Sequence, residues 1–111
     1  MRRGTTPTVT LTVKGANGGI CDLTDADIYV TFADRKKSNV VLTKSTNNDG
    51  VTVNLVDNYS VIRIVLTQAD TLSFKVGSRV RVQLRAKKGD KAIASDIGEF
   101  TMEEILLDGE I

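Results

Sequence analysis

The chain has 111 residues, of which 41% are hydrophobic and 26% charged. These values are ordinary for a globular protein and unlike those of disordered segments. The length suits one core, so we expect a single domain over residues 1–111. The 15 basic and 14 acidic residues leave a net charge of +1, which excludes the long-range positive field of most nucleic-acid-binding proteins.

Two residue types that carry much of enzyme catalysis, histidine and cysteine, are absent or nearly so. The chain has no histidine and one cysteine, Cys21, which excludes zinc sites and catalytic triads that need an imidazole, and any intrachain disulfide. Cys21 lies between Ile20 and Leu23, so we predict that it fills the core as a small hydrophobe. We therefore expect no enzymatic activity and no cofactor.

Hydropathy gives no sign of membrane insertion or export. No segment approaches the roughly 18 apolar residues that a membrane span requires. The basic start at Arg2 and Arg3 is not followed by the apolar region of a signal peptide. We expect a soluble, unexported chain with no membrane partner.

Alternation of apolar and polar residues predicts β-strands along nearly the whole chain. Turn residues separate about seven such segments, the spacing typical of an all-β, antiparallel two-sheet β-sandwich, immunoglobulin-like or jelly-roll-like. The strand order stays open. The predicted strands comprise residues 8–13, 28–33, 40–44, 51–55, 61–66, 79–87 and 92–102.

Local signals predict the turns and one short helical segment. Thr67 stands three residues before Asp70, a spacing that resembles a helix N-cap and predicts one helical turn over residues 68–73. The pair Asp49-Gly50 suits the tight turns that join neighbouring strands of a sheet. Gly89 with its neighbours predicts the last hairpin.

The next-to-last strand carries a row of basic residues, which we name the basic comb. Alternation places its members on one face: Arg79, Arg81, Arg85 and Lys87. Nucleic-acid binding by a sheet usually needs aromatic rings among the charges, and none is interleaved here. We interpret the comb as a solvated face or a subunit contact, and do not expect nucleic acid as a partner.

Three acidic residues lie close together before the second strand. Asp22, Asp25 and Asp27 offer oxygen ligands of the kind calcium prefers, but their spacing is not that of an EF-hand loop. Such residues commonly accept hydrogen bonds from backbone amides in turns. We therefore predict a turn and no metal site.

Residues 1–7 and 103–111 extend beyond the predicted strands as possible arms. The C-terminal segment is rich in apolar side chains, which commonly mark a partner site when exposed. It can equally fold back on its own domain, and the sequence leaves both open. The candidate contact residues at the two ends are Arg2, Arg3, Ile105, Leu106, Leu107 and Ile111.

Several segments resemble phage proteins. The sequences MRRGTTPT (1–8), LTQADTL (66–72), VQLR (82–85), AIAS (92–95) and ILLDGEI (105–111) resemble small proteins encoded among prophage tail genes. GICDLTDADIYV (19–30) is similar to the N-terminal domain of phage baseplate upper proteins. Those proteins normally continue into a further receptor-binding or scaffolding part, for which we expect no counterpart within residues 1–111. The resemblance implies a β-sandwich that docks into a symmetric tail assembly, without catalytic residues.

Three functions follow as hypotheses. The first is a structural module of a tail or baseplate, made in the bacterial cytoplasm and carried in the virion once assembled, with tail proteins or further copies of the chain as partners. The second is a carbohydrate-binding module, for which Tyr29 and Tyr59 are the plausible stacking platforms. The third is a nucleic-acid binder that uses the basic comb.

Overall fold

The computed structural model describes residues 1–2, 4–14, 20–34, 40–47, 50–74, 77–94, 98–101, 103, 107 and 110–111. Its elements within these residues are the strands and the short helix that follow. They are β1 (Thr8–Val13), β2 (Asp27–Asp34), β3 (Val40–Ser45), β4 (Val51–Val56), β5 (Tyr59–Val65), α1 (Gln68–Leu72), β6 (Arg79–Lys88), β7 (Lys91–Ala94) and β8 (Gly98–Thr101).

The strands form two antiparallel sheets, which confirms the predicted all-β sandwich. One sheet has the order β1-β5-β4, and the other has the order β3-β2-β6 with β7 and β8 both paired to the far side of β6. In place of the single last strand predicted over residues 92–102, the structure has two strands, β7 and β8. Arg85 pairs with Ala94 but Val82 pairs with Gly98, so the register differs by one residue between β7 and β8.

The core lies between the sheets and consists mainly of the alternate apolar residues of β2, β5 and β6. In each of these strands the apolar residues that alternate with polar ones share one face, and that face is buried. The edge strands contribute less, and Leu55 near the end of β4 remains 43% exposed. Cys21 is partly buried against the core. The buried inward residues are Ile28, Val30, Phe32, Ile62, Ile64, Leu66, Val80, Val82, Leu84 and Ala86.

The helix begins with the predicted cap. Thr67 Oγ1 accepts a hydrogen bond from the Asp70 amide at 3.1 Å, and the Asp70 carboxylate accepts one from the Thr67 amide at 2.8 Å. These bonds satisfy amides that a helix start leaves unpaired. With 5 residues in α1, the described part of the chain has no helix long and apolar enough to cross a membrane.

The Asp49-Gly50 pair predicts a tight turn between two neighbouring strands of one sheet, and this prediction is wrong for β3 and β4. β3 and β4 belong to different sheets, so the chain crosses the sandwich there. Gly50 has the positive φ, 85°, that makes glycine favourable, and its carbonyl accepts a hydrogen bond from Val65 N–H at 2.8 Å. Asp49 itself lies outside the described residues.

Candidate functional site

The basic comb lies on the outer face of the five-stranded sheet, as alternation predicts. Every second residue of β6 from Val80 to Ala86 is buried, while Arg79, Arg85 and Lys87 are exposed and Arg81 is partly exposed. The comb therefore presents its charges to one side of the molecule, and the core lies on the other.

The four members of the comb have different surroundings. The Arg79 guanidinium lies 3.4 Å from the Glu99 carboxylate on β8. Arg81 Nε is buried and has no hydrogen-bond acceptor among the described residues. Arg85 and Lys87 form no ion pair with a described carboxylate. Among the described residues, the members of the comb without a carboxylate in ion-pair distance are therefore those towards the β6–β7 hairpin.

A shallow depression of about 310 Å³ lies beside Arg85 and Lys87. Tyr29 on β2 stands directly opposite Arg85 in the sheet and lines this depression with an exposed ring. The remaining lining is small or hydroxylated: Thr31, Thr43, Ala86 and Ala92. The register thus brings together an aromatic ring, two cations and two hydroxyl groups.

A second depression of about 120 Å³ adjoins the first, because Thr31 lines both. Arg81 and Gln83 form part of its wall. The partnerless Arg81 Nε–H therefore lies along the same face as Tyr29.

The other exposed ring, Tyr59, lies on the opposite sheet. The Lys14 ammonium sits 5.2 Å from the centre of its ring, an arrangement favoured by the negative face of the aromatic system. All three phenylalanines contact or belong to the core. Of the two tyrosines proposed as stacking platforms, Tyr29 lines a depression that also contains the cations Arg85 and Lys87.

The two ends of the chain meet at one side of the sandwich. Glu103 N–H donates a hydrogen bond to the Met1 carbonyl at 2.6 Å, and Arg2 and Glu103 form a parallel β-bridge. Further along, Leu66 N–H donates to the Pro7 carbonyl and Thr71 Oγ1 to the Thr5 carbonyl. The N-terminal segment is thus attached to the domain at several points.

The C-terminal segment is described only in part. Leu107 is 71% exposed and Ile111 is 90% exposed. The backbone of Ile111 exchanges two hydrogen bonds with the Gln68 side chain, of 2.8 and 3.3 Å, which places the segment beside α1. The remaining candidate contact residues at the ends, Arg3, Ile105 and Leu106, lie outside the described residues.

The acidic loop forms the turn that the sequence predicts. Asp22 Oδ1 accepts hydrogen bonds from both the amide and the hydroxyl of Thr24, at 3.0 and 2.6 Å. These bonds stabilise the carboxylate and lower the pKa of Asp22 below its usual value, with a smaller contribution from Lys88. Among the described residues no group of acids is arranged to hold a metal ion.

The three-stranded sheet has two edge strands whose sequences carry no charge. β1 reads TVTLTV and β4 reads VTVNLV, and each pairs with β5 on one side in an unbroken register. No other described strand pairs with their outer sides. The edges of the other sheet contain Lys44, Lys91 and Glu99. Among the strands that the structure describes, uncharged edges therefore occur in the three-stranded sheet alone.

The sequence predicts the basic comb but not the residues of the neighbouring strands, Tyr29, Thr31 and Thr43, that line the depression beside it. Alternation reveals which residues share a face of one strand, but not which strand lies alongside. The pairing of β2 with β6 places Tyr29 opposite Arg85, although the two residues are 56 positions apart in the sequence. The hairpin signals of the chain carry no information on this non-local pair.

Comparison with known proteins adds no assignment. No known protein family matches the chain, and no curated protein sequence matches it either.

Proposed function

We propose that this chain is a non-enzymatic structural module of a bacteriophage or prophage tail or baseplate. It acts through contacts with other tail subunits or with further copies of itself. The phage context is supported by the resemblance of residues 19–30 and of both terminal segments to tail and baseplate proteins. The contact role is supported by one structural observation, the uncharged edges of the three-stranded sheet.

An edge strand presents unpaired N–H and C=O groups to any strand that approaches it. Proteins usually protect such edges with lysines, prolines or bulges. β4 has none of these within Val51–Val56, and its pairing with β5 is regular. A strand from a neighbouring subunit can therefore extend the sheet with main-chain hydrogen bonds.

The exposed apolar side chains at the C-terminal segment supply a second contact. Leu107 and Ile111 lie largely in solvent, and exposed apolar groups become stabilising when a neighbour covers them. In this proposal the chain is made in the bacterial cytoplasm and reaches the virion with its neighbours. Closed symmetry of the assembly would limit growth at the open edges.

To test the contact role, lysines are added to the uncharged edge strand β4 and, as a control, to the edge strands β7 and β8, which already contain charged residues. Asn54→Lys with Val56→Lys places two lysines on β4, and the control, Ala94→Lys with Thr101→Lys, places two on β7 and β8. Thermal unfolding verifies that both variants fold. Mass spectrometry then measures each chain in purified tail particles from a phage or prophage that encodes it.

We expect the wild-type chain and the control in the particles and loss of the β4 variant. Absence of the wild-type chain from the particles would contradict the phage proposal. Equal incorporation of all three chains would contradict the role of the β4 edge and leave the terminal segment to be tested by removing residues 106–111.

A further inference from the structure

We infer that the depression beside Tyr29 binds an acidic saccharide, a sugar unit bearing a carboxylate or phosphate group. This inference is independent of the proposed assembly role. It concerns the outer face of the five-stranded sheet, whereas assembly is proposed at the edges of the three-stranded sheet. Its test measures ligand binding in solution, so the two proposals fail separately.

The shape of the depression suits one sugar unit. Its volume of about 310 Å³ lies at the lower end of the range for small-ligand sites. Tyr29, Arg85 and Lys87 carry the long side chains, and Thr31, Thr43 and Ala92 leave room between them. The exposed tyrosine ring offers an apolar face on which the C–H groups of a pyranose can pack.

The charge of the depression selects an anion. Arg85 and Lys87 are exposed and have no ion-pair partner among the described residues. Asp27 stands opposite Lys87 in the sheet but lies beyond ion-pair distance. A carboxylate or phosphate can receive two parallel hydrogen bonds from a guanidinium, and the ammonium adds a point charge.

The hydroxyl groups account for the rest of the recognition. Thr31 Oγ1 and Thr43 Oγ1 lie 3.2 Å apart across β2 and β3, and each hydroxyl can donate one hydrogen bond and accept others. The adjoining depression is lined by Arg81 and Gln83. A sugar that extends across Thr31 would lie beside these two polar side chains.

A saccharide fits these features better than a nucleic acid. Single-stranded nucleic acids bind to successive aromatic platforms, one for each stacked base. The chain has five aromatic residues, and Tyr29 is the only one beside the comb. One ring flanked by cations and hydroxyl groups instead suits one acidic sugar.

The test is a titration of the isotope-labelled full chain with trigalacturonate, followed by amide chemical shifts. The matched probe is the fully methyl-esterified trisaccharide, which has the same sugars without the charge. A phosphorylated disaccharide distinguishes carboxylate from phosphate as the preferred anion. A single-stranded oligonucleotide of equal charge is the third probe.

We expect trigalacturonate at up to about 10 mM to shift the amides of Tyr29, Thr31 and Arg85 and to bind at least about tenfold more tightly than its ester. Salt should weaken binding because it screens exposed charges. Preferential binding of the phosphorylated sugar at these amides also supports the inference. Absence of shifts with both acidic sugars overturns it, as does equal binding of the ester.

Variants on the two outer faces give a matched comparison. Arg85→Gln and Tyr29→Thr should each weaken binding about tenfold, whereas Arg63→Gln and Tyr59→Thr, on the other sheet, should leave it unchanged. Equal losses in both pairs overturn the inference. Tighter binding of the oligonucleotide at the same amides would make the face a nucleic-acid interface and overturn it also. Shift mapping on the wild-type chain keeps the test valid if a variant fails to fold.

Discussion

The ion pair between Lys44 and Asp70 should connect the two sheets energetically. Lys44 belongs to β3 of one sheet, and Asp70 lies in the helix that follows β5 of the other. Their charged atoms lie 2.9 Å apart, and the side chains are only 16% and 13% exposed. Exposed pairs contribute roughly 0–1 kcal/mol, and shielding from solvent strengthens attraction, so we expect a coupling of about 1–2 kcal/mol.

A double-mutant cycle with Lys44→Met and Asp70→Asn measures this coupling by urea unfolding at neutral pH. The same cycle on Arg79 and Glu99, whose side chains are 57% and 31% exposed at 3.4 Å, serves as the control and should give less than about 0.5 kcal/mol. Equal coupling in both cycles, or none at Lys44 and Asp70, would refute the reasoning.

The coupling should also depend on pH. Although burial raises the pKa of Asp70, the hydrogen bond from the Thr67 backbone and the Lys44 ammonium outweigh that effect and lower the pKa below its usual value. A carboxyl with a lowered folded-state pKa stabilises the protein above its unfolded-state pKa, and this stabilisation is lost as the pH falls through the folded-state value. The double-mutant cycle of Lys44 and Asp70, repeated at a pH below the folded-state pKa of Asp70, should give no coupling.

Two further predictions use matched positions. Leu84→Ala should lower the free energy of unfolding by about 2–4 kcal/mol because Leu84 is 1% exposed. Leu55→Ala should lower it by about 1 kcal/mol, because Leu55 on β4 is 43% exposed. Equal losses of stability in urea unfolding would contradict the packing described. Gly50→Ala should destabilise the chain by at least about 2 kcal/mol, because φ is positive and a Cβ would lie 2.9 Å from the Val65 carbonyl oxygen. Gly89 also has a positive φ, but an added Cβ would meet no atom within 4 Å. Gly89→Ala should therefore lower the free energy of unfolding by only about 1 kcal/mol. A similar loss of melting temperature in both glycine variants would contradict the steric argument.

Local sequence determined the elements and their faces. Alternation identified the buried triplets Ile28, Val30, Phe32 and Ile62, Ile64, Leu66 because a strand turns successive side chains to opposite sides. The Thr67 cap was readable for a similar reason, since its hydrogen bonds join residues three apart. Such signals span only a few residues, so their meaning does not depend on the rest of the fold.

Which strands are neighbours depends on the packing of the whole chain and could not be predicted from local sequence. The Asp49-Gly50 signal suggested that β3 and β4 pair, yet each lies in a different sheet. In an immunoglobulin constant-type domain strands 1, 2, 4 and 5 share a sheet, whereas here β2 pairs with β6 and lies apart from β1. This order results from burial of all the apolar faces together, a global condition that no single segment contains. It is also what places Tyr29 beside Arg85 and leaves β1 and β4 at the edges.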